Sequence, residues 1–273
     1  MSLVLYNPID NGASLITGYE LWIEDGTGYV QVGTYDGVSL NKNLNDVLDS
    51  LTVGDKYYFK FRAVNAIGYS EFSNEVAFAL ADLPAQPSTP FKVDSESTPT
   101  SISVHWNSVA DTDIVTSGYR LYMDGGNNGE YTLIYNGEGS PGKLSYLAQG
   151  LDKGFAYRFK VEALNFNGAG TESDEAILYA CLPPSGLLPP TYVSSTETDL
   201  DLAWKAPSDN NGCPVFEYEL FINDGLGGAI TTSVGTFSPH ELTTSISLTG
   251  ADTGNTFFVQ LEAKSNAGST LSG

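Results

Sequence analysis

Three stretches of this chain repeat one pattern at a fixed step. Tyr57-Tyr-Phe-Lys-Phe-Arg-Ala63 returns as Tyr157-Arg-Phe-Lys-Val-Glu-Ala163 and again as Phe257-Phe-Val-Gln-Leu-Glu-Ala263. The closing alanines stand 100 residues apart, and Gly68, Gly168 and Gly268 keep the same step. A step this long exceeds the unit of a solenoid (about 20–45 residues) and suits an independent domain (about 100–150 residues). The chain therefore reads as three similar domains in a row, and we divide it at 1–82, 83–181 and 182–273.

Within each copy, apolar and polar residues alternate with a period of two. Tyr57, Phe59, Phe61 and Ala63 share one face, and Tyr58, Lys60, Arg62 and Val64 share the other. That is the pattern of a half-buried antiparallel strand. An earlier strand recurs as Gly18-Tyr-Glu-Leu-Trp-Ile23, Gly118-Tyr-Arg-Leu-Tyr-Met123 and Glu217-Tyr-Glu-Leu-Phe-Ile222. Asp25-Gly26, Asp124-Gly125 and Asp224-Gly225 follow these strands and predict hairpin turns, since glycine accepts positive φ without a steric penalty. Asn43 to Asp49 is the one stretch that suggests a helical turn. Proline-rich linkers at 83–90 and 182–190 predict stiff connections and a semi-rigid rod.

The composition narrows the function classes. Charged residues make up 16% of the chain and aromatic residues 12%, a profile of strands and turns. The net charge of −21 argues against nucleic-acid binding, which needs clustered Lys and Arg at phosphates. The acid either keeps a beaded chain soluble or collects calcium in loops. No apolar run is long enough for a membrane span, and no basic start precedes a long apolar stretch.

At these residues the repeats resemble fibronectin type III domains over essentially the whole chain. The resemblance implies an all-β protein of three tandem immunoglobulin-like β-sandwiches. A core tryptophan on strand B is matched by Trp106 in Ile102-Ser-Val-His-Trp106 and by Trp204 in Leu200-Asp-Leu-Ala-Trp204, with Tyr6 at the same place in the first repeat. Pro8-Ile-Asp-Asn-Gly-Ala-Ser-Leu-Ile-Thr-Gly-Tyr19 is similar to the family's loop into strand C, and Pro207-Ser-Asp-Asn-Asn-Gly212 follows it less fully. Leu51 with Tyr57, and Leu151 with Tyr157, fit the tyrosine corner, in which a phenol hydroxyl bonds to nearby backbone. The third repeat has Ala251 and Phe257 instead and is expected to lack that bond.

By this resemblance the first repeat lacks strand A and the third lacks most of strand G. Two readings follow. The chain is an excerpt of a longer array, or neighbouring chains complete one another end to end through unpaired edge strands. The two cysteines also take their meaning from the resemblance. Cys181 lies in the linker entering the third repeat, and Cys213 in its loop between strands B and C. In a type III sandwich the chain enters at the pole carrying that loop, so the sulfurs either form a disulfide or stand as two free thiols in a reducing compartment.

Enzyme signatures fail at specific residues. Gly137-Glu-Gly-Ser-Pro-Gly-Lys143 nearly spells a phosphate loop, but Leu144 replaces the hydroxyl residue and no helix follows. His105 is expected on an outer strand face and His240 in a loop, and neither accompanies a nucleophile motif. Asn41-Lys-Asn-Leu-Asn-Asp46 lacks the ligand pattern of a calcium loop. No catalytic residue, cofactor or metal site is expected. Lys60, Arg62, Arg158 and Lys160 concentrate positive charge on the outer face of one strand type. They either bond across to acidic neighbours or form a contact face for a protein or an acidic glycan.

The expectation is a non-catalytic rod that adheres, spaces or scaffolds through protein contacts, extracellular or at the cell surface. An accessory spacer or carbohydrate-contacting region of an extracellular enzyme, and a cytoplasmic filament scaffold, are the alternatives. No membrane insertion is expected of this stretch.

Overall fold

A computed structural model describes the chain except residues 1, 25, 37–39, 44–50, 127 and 249–253. The expected helical turn at Asn43 to Asp49, the end of the near-calcium stretch, the Asp25 turn residue and Ala251 lie wholly or mainly outside the described residues. What is described is built from strands, with one short 3-10 turn at Asp94–Glu96.

The strands fall into pairs of sheets that recur along the chain. In the first repeat, β1 (Ser2–Val4) pairs with β4 (Asn41–Asn43), opposite a sheet ordered β3 (Tyr29–Tyr35), β2 (Ile16–Glu24), β5 (Lys56–Asn65), β6 (Val76–Ala79). In the second, β7 (Phe91–Lys92), β8 (Ser101–His105) and β11 (Ser145–Gln149) form the smaller sheet. The larger sheet runs β10 (Thr132–Asn136), β9 (Gly118–Met123), β12 (Ala156–Asn165), with β13 (Gly168–Ala169) and β14 (Ala176–Tyr179) both on β12. In the third, β15 (Thr191–Ser195), β16 (Asp199–Ala203) and β19 (Thr243–Ser247) face β18 (Thr232–Phe237), β17 (Val215–Ile222), β20 (Val259–Ser265) and β21 (Gly268–Leu271). Pairing is antiparallel throughout, with Ala63 opposite Tyr19, Ala163 opposite Tyr119 and Ala263 opposite Tyr218.

The alternation seen in the sequence is the alternation of burial. Ile102, Val104, Trp106, Tyr119, Leu121, Phe159, Val161 and Ala163 fill the second core, drawn from both sheets. Leu202, Trp204, Tyr218, Leu220 and Leu261 do the same in the third. In the first, Leu21, Ile23, Tyr57 and Phe59 form one cluster and Leu5, Tyr19 and Ala63 another. Tyr6 is exposed and does not take the place of Trp106 and Trp204; Leu5, its neighbour, points inward instead. β1 ends at Val4, so the strand pairing that would set the tryptophan position stops short of Tyr6.

The tyrosine corner is present twice. The Tyr57 hydroxyl accepts the Thr52 N–H at 2.7 Å, and the Tyr157 hydroxyl accepts the Asp152 N–H at 2.8 Å. Phe257 has no hydroxyl to offer.

The hairpin turns depart from the sequence reading. The connection after β9 runs over residues 124–131, too long for a two-residue turn, and the positive φ belongs to Gly126 (85°), not Gly125. Asp124 is 1% exposed and has another task. Its carboxylate accepts the Gly126 N–H at 3.1 Å, the Arg158 N–H at 2.9 Å and the Arg158 Nε–H at 2.8 Å. The matching position in the third repeat is Asn223, whose Oδ1 accepts the Phe258 N–H at 2.8 Å. A buried carboxylate stands where an arginine can pair with it, and a neutral amide stands where a phenylalanine takes the arginine's place.

Candidate functional site

The residues with the most specific arrangement lie at the joints between repeats. At the second joint a disulfide links Cys181 to Cys213, with Cα atoms 5.6 Å apart and side chains 0% and 1% exposed. Around it the linker bonds to the loop between β16 and β17. The Leu182 N–H donates to the Asn211 carbonyl at 3.2 Å, and Ser185 and Asp209 exchange backbone bonds at 2.8 and 3.2 Å. The Asn211 side-chain amide donates to the Pro183 carbonyl at 2.6 Å, and the Thr270 hydroxyl to the Pro184 carbonyl at 2.5 Å. Asn211 and Gly212 hold φ of 48° and 102°, the left-handed turn that brings these groups to the linker. Gly154 closes the contact from the second repeat, for a Cβ there would stand 2.6 Å from the Gly212 carbonyl oxygen.

The first joint has the same layout and different chemistry. Ile114 occupies the place of Cys213 and is 9% exposed beneath the linker. Asn167, in the turn between β12 and β13, accepts the Ala79 N–H at 2.8 Å and donates to the carbonyls of Ala79 and Ala81 at 2.9 and 2.8 Å. The Asn165 amide donates to the Asp82 carbonyl at 2.8 Å. Gly170 lies so close that a Cβ would meet the Pro84 carbonyl oxygen at 2.2 Å, and Gly54 repeats the role of Gly154, 2.9 Å from Asp113 O. Lys56 places its ammonium 4.2 Å from the Phe166 ring centroid across the joint.

The four cations singled out from the sequence do share the outer face, in two groups. Lys60 stands 3.4 Å from the Tyr29 ring centroid and 4.7 Å from Phe72. Arg62 stacks at 4.1 Å from Tyr69 and 4.9 Å from Phe72, and pairs with Glu20 at 2.7 Å. Phe72 is thus sandwiched between two cations. In the second repeat Arg158 and Lys160 flank Tyr131 at 5.2 and 4.9 Å, while Glu172 replaces Phe72 and pairs with Lys160 at 3.2 Å. Each exposed cation–π contact contributes about 0.5–1 kcal/mol. Burial, with a hydrogen bond to Glu75, pushes the Tyr29 phenol up to about 12. The aromatic partners were not legible beforehand, because Tyr29 and Phe72 are far from the cations in sequence.

A histidine, a serine and a carboxylate also meet. Ser103 Oγ donates to Glu96 at 2.8 Å, and His105 Nε2 lies 3.0 Å from Ser103 Oγ and 2.9 Å from Glu96. Both contacts use one ring nitrogen, whereas a proton relay needs the acid on one nitrogen and the nucleophile on the other. The hydrogen bonds from His105 and then Ser103 hold the Glu96 carboxyl below its ordinary value. His240 is exposed in its loop. Among the described residues no His, Cys, Asp and Glu cluster could hold a metal ion, and no helix is long and apolar enough to cross a membrane.

The family model described as fibronectin type III domain matches residues 85–178. Human fibronectin type-III domain-containing protein 3A is 30% identical over 192 residues, covering 65% of this chain and 15% of the relative. Human myomesin-2 is 29% identical over 216 residues, covering 72% of this chain and 14% of its own. A titin homolog of Caenorhabditis elegans is 27% identical over 247 residues, covering 83% of this chain and 1% of its own. The chain thus spans about 15% or less of the length of each of these relatives.

Proposed function

We propose that this chain, a tandem array of fibronectin type III domains, works as a non-catalytic spacer and scaffold whose modules, 1–82, 83–181 and 182–273, are held end to end by built joints. The observation that carries the reading is the repetition of the joint. Twice, a proline-containing linker is seated between the loop before the third strand and the turn after the sixth, with several hydrogen bonds each time. Modules free to swing would need none of these contacts. The side-chain chemistry of the chain is directed to holding geometry, which is what a spacer requires.

Small-angle scattering of the intact chain tests this. An elongated particle, with a distance distribution that stays the same between low and high salt, is the expected result. A compact particle, or a broad distribution of inter-module distances, would overturn it. The sedimentation profile of the same sample decides the end-to-end reading of the edges, since a single monomeric species removes it.

The Cys181–Cys213 bond supports a secreted or cell-surface setting over the cytoplasmic alternative, because such bonds persist in oxidising compartments. A thiol assay on unreduced protein checks it, and two free thiols would favour the cytoplasm. As a contact face for a protein or an acidic glycan, Lys60, Arg62, Arg158 and Lys160 offer cations already oriented by aromatic and acidic neighbours. Reversing Arg62 and Lys160 to Glu is expected to weaken an identified partner, and unchanged affinity would dismiss that face.

A further inference from the structure

The pole of the first repeat carries the groove that receives a linker in the other two, and here it is open. The loop at residues 8–14 matches the loop at 207–213 position by position: Pro8 with Pro207, Asp10 with Asp209, Ser14 with Cys213. The backbones also match. Gly12 and Ala13 hold φ of 65° and 58° where Asn211 and Gly212 hold 48° and 102°. The Gly12 N–H donates to Asp10 Oδ1 at 2.8 Å, as the Asn211 N–H does to Asp209 Oδ1 at 2.7 Å. Ser14 N–H reaches the Asn11 carbonyl at 3.3 Å, as Cys213 N–H reaches Asn210 at 3.1 Å.

Across from this loop, the turn at 65–70 completes a groove of about 340 Å³ lined by Asp10, Gly12, Ile16, Asn65, Gly68 and Ser70. In the third repeat, the corresponding positions of the loop and the turn are the ones that bond Ser185, Pro183 and Pro184. Ser70 carries a hydroxyl where Thr270 uses one on the linker carbonyl. Asn65 matches Asn165, but its amide donates to Asn11 of its own loop at 2.9 Å, whereas Asn165 donates to the linker. Ile67 replaces Asn167 and is 79% exposed, with Tyr69 also exposed beside it. The seat is therefore shaped like the joint at the third repeat, without its cysteine and with added apolar surface at the rim.

We propose that this groove is a docking site for an extended, proline-containing segment of the kind that leaves the last strand of a type III module, bound in trans and without a covalent pin. The occupant is identified by what fills the equivalent groove twice in this same chain. An extended backbone would form the bridge to Asp10 that Ser185 forms to Asp209, and a carbonyl would accept from Ser70. The proposal deepens the scaffold reading and rests on it for the class of partner.

Site-directed tethering on the full chain tests it. Ser14→Cys places a thiol where Cys213 stands in the third repeat, and the probe is a synthetic peptide of residues 178–188, which carries its own cysteine. In a glutathione buffer we expect the mixed disulfide to form at least tenfold faster than with a scrambled peptide of the same composition. The same excess is expected over Thr231→Cys, an exposed position far from the groove. Equal rates in either comparison would overturn the proposal. So would faster disulfide dimerisation of the Ser14→Cys chain than peptide capture, which would make a second copy the occupant. With the unsubstituted chain and a peptide carrying Ser for Cys, amide shifts confined to Gly12, Gly68 and Ser70 support it; shifts spread over all repeats count against it. Scattering tests the rod separately, so an elongated particle with no capture sinks the groove alone.

Discussion

Asn167 pairs with Ala79 as a neighbouring strand residue would, accepting its N–H and donating to its carbonyl through one side-chain amide. The two residues belong to different repeats. The last strand of the first sandwich is thus extended, by a single side chain, onto the turn of the second. A third bond, to the Ala81 carbonyl, fixes the direction in which the linker leaves.

Asn167→Ala is expected to free this joint while sparing both cores. Each lost hydrogen bond is worth about 0.5–1.5 kcal/mol net. The distance distribution between spin labels on the first and second repeats should broaden. The melting temperature of the intact chain should move by less than about 2 °C, because the turn contributes nothing to either hydrophobic cluster. An unchanged distribution would show that packing at Gly54 and Gly170 suffices.

Cys213→Ser is expected to act on stability as well as on geometry. The bond closes a segment with a sequence separation of 32. Loop-closure entropy for such a length corresponds to about 3–4 kcal/mol. Urea unfolding followed by Trp204 fluorescence should show the third repeat unfolding earlier by that margin, in the variant and in reduced protein alike.

Tyr157→Phe removes the acceptor of the Asp152 N–H and leaves the ring in place. The expected loss is about 1–2 kcal/mol for the second repeat, the cost of a part-buried donor left without its partner. The third repeat already carries Phe257 at that step, so the effect should be absent there when melting is followed repeat by repeat.

Acid should weaken the second repeat through Asp124. Burial alone would raise this carboxyl, but the Arg158 backbone and guanidinium and the Gly126 N–H outweigh it and hold it below its ordinary value of 3.8. A depressed folded value stabilises above the unfolded one and loses that contribution as pH falls through the folded one. The loss should therefore be confined to pH below about 4. Asp124→Asn is expected to lower stability near neutral pH by about 1–3 kcal/mol, as for hydrogen bonds to a charged group, and to flatten the acid limb of a melting-temperature profile.

The sandwiches were legible in the sequence because core positions recur at one step and burial follows the alternation, as at Phe59, Phe159 and Leu261. Tyr6 misled because the step holds for residue number and the first strand does not extend to it. The joints were not legible. Asn167 looks like any turn asparagine, and only the approach of Ala79 from another repeat gives it a task. The outward setting of Lys60 and Arg62 followed from periodicity, whereas Phe72 between them did not, since its strand neighbour in the second repeat is Glu172. Asp124 was read as a turn residue because its partner, Arg158, lies a sheet strand away.

The two joints differ in how they answer a pull. Tension applied at the ends of a serial chain is equal at every link, so the hydrogen-bonded connection at Asn167 yields before the sulfur-bonded one. When the third sandwich then unravels, the stretch enclosed by Cys181 and Cys213 cannot pay out. At roughly 3.3–3.6 Å per extended residue, the 32-residue separation withholds about 110 Å of contour. An oxidised chain thus has a shorter stroke than a reduced one, and its extensibility is set by the redox state of one buried pair.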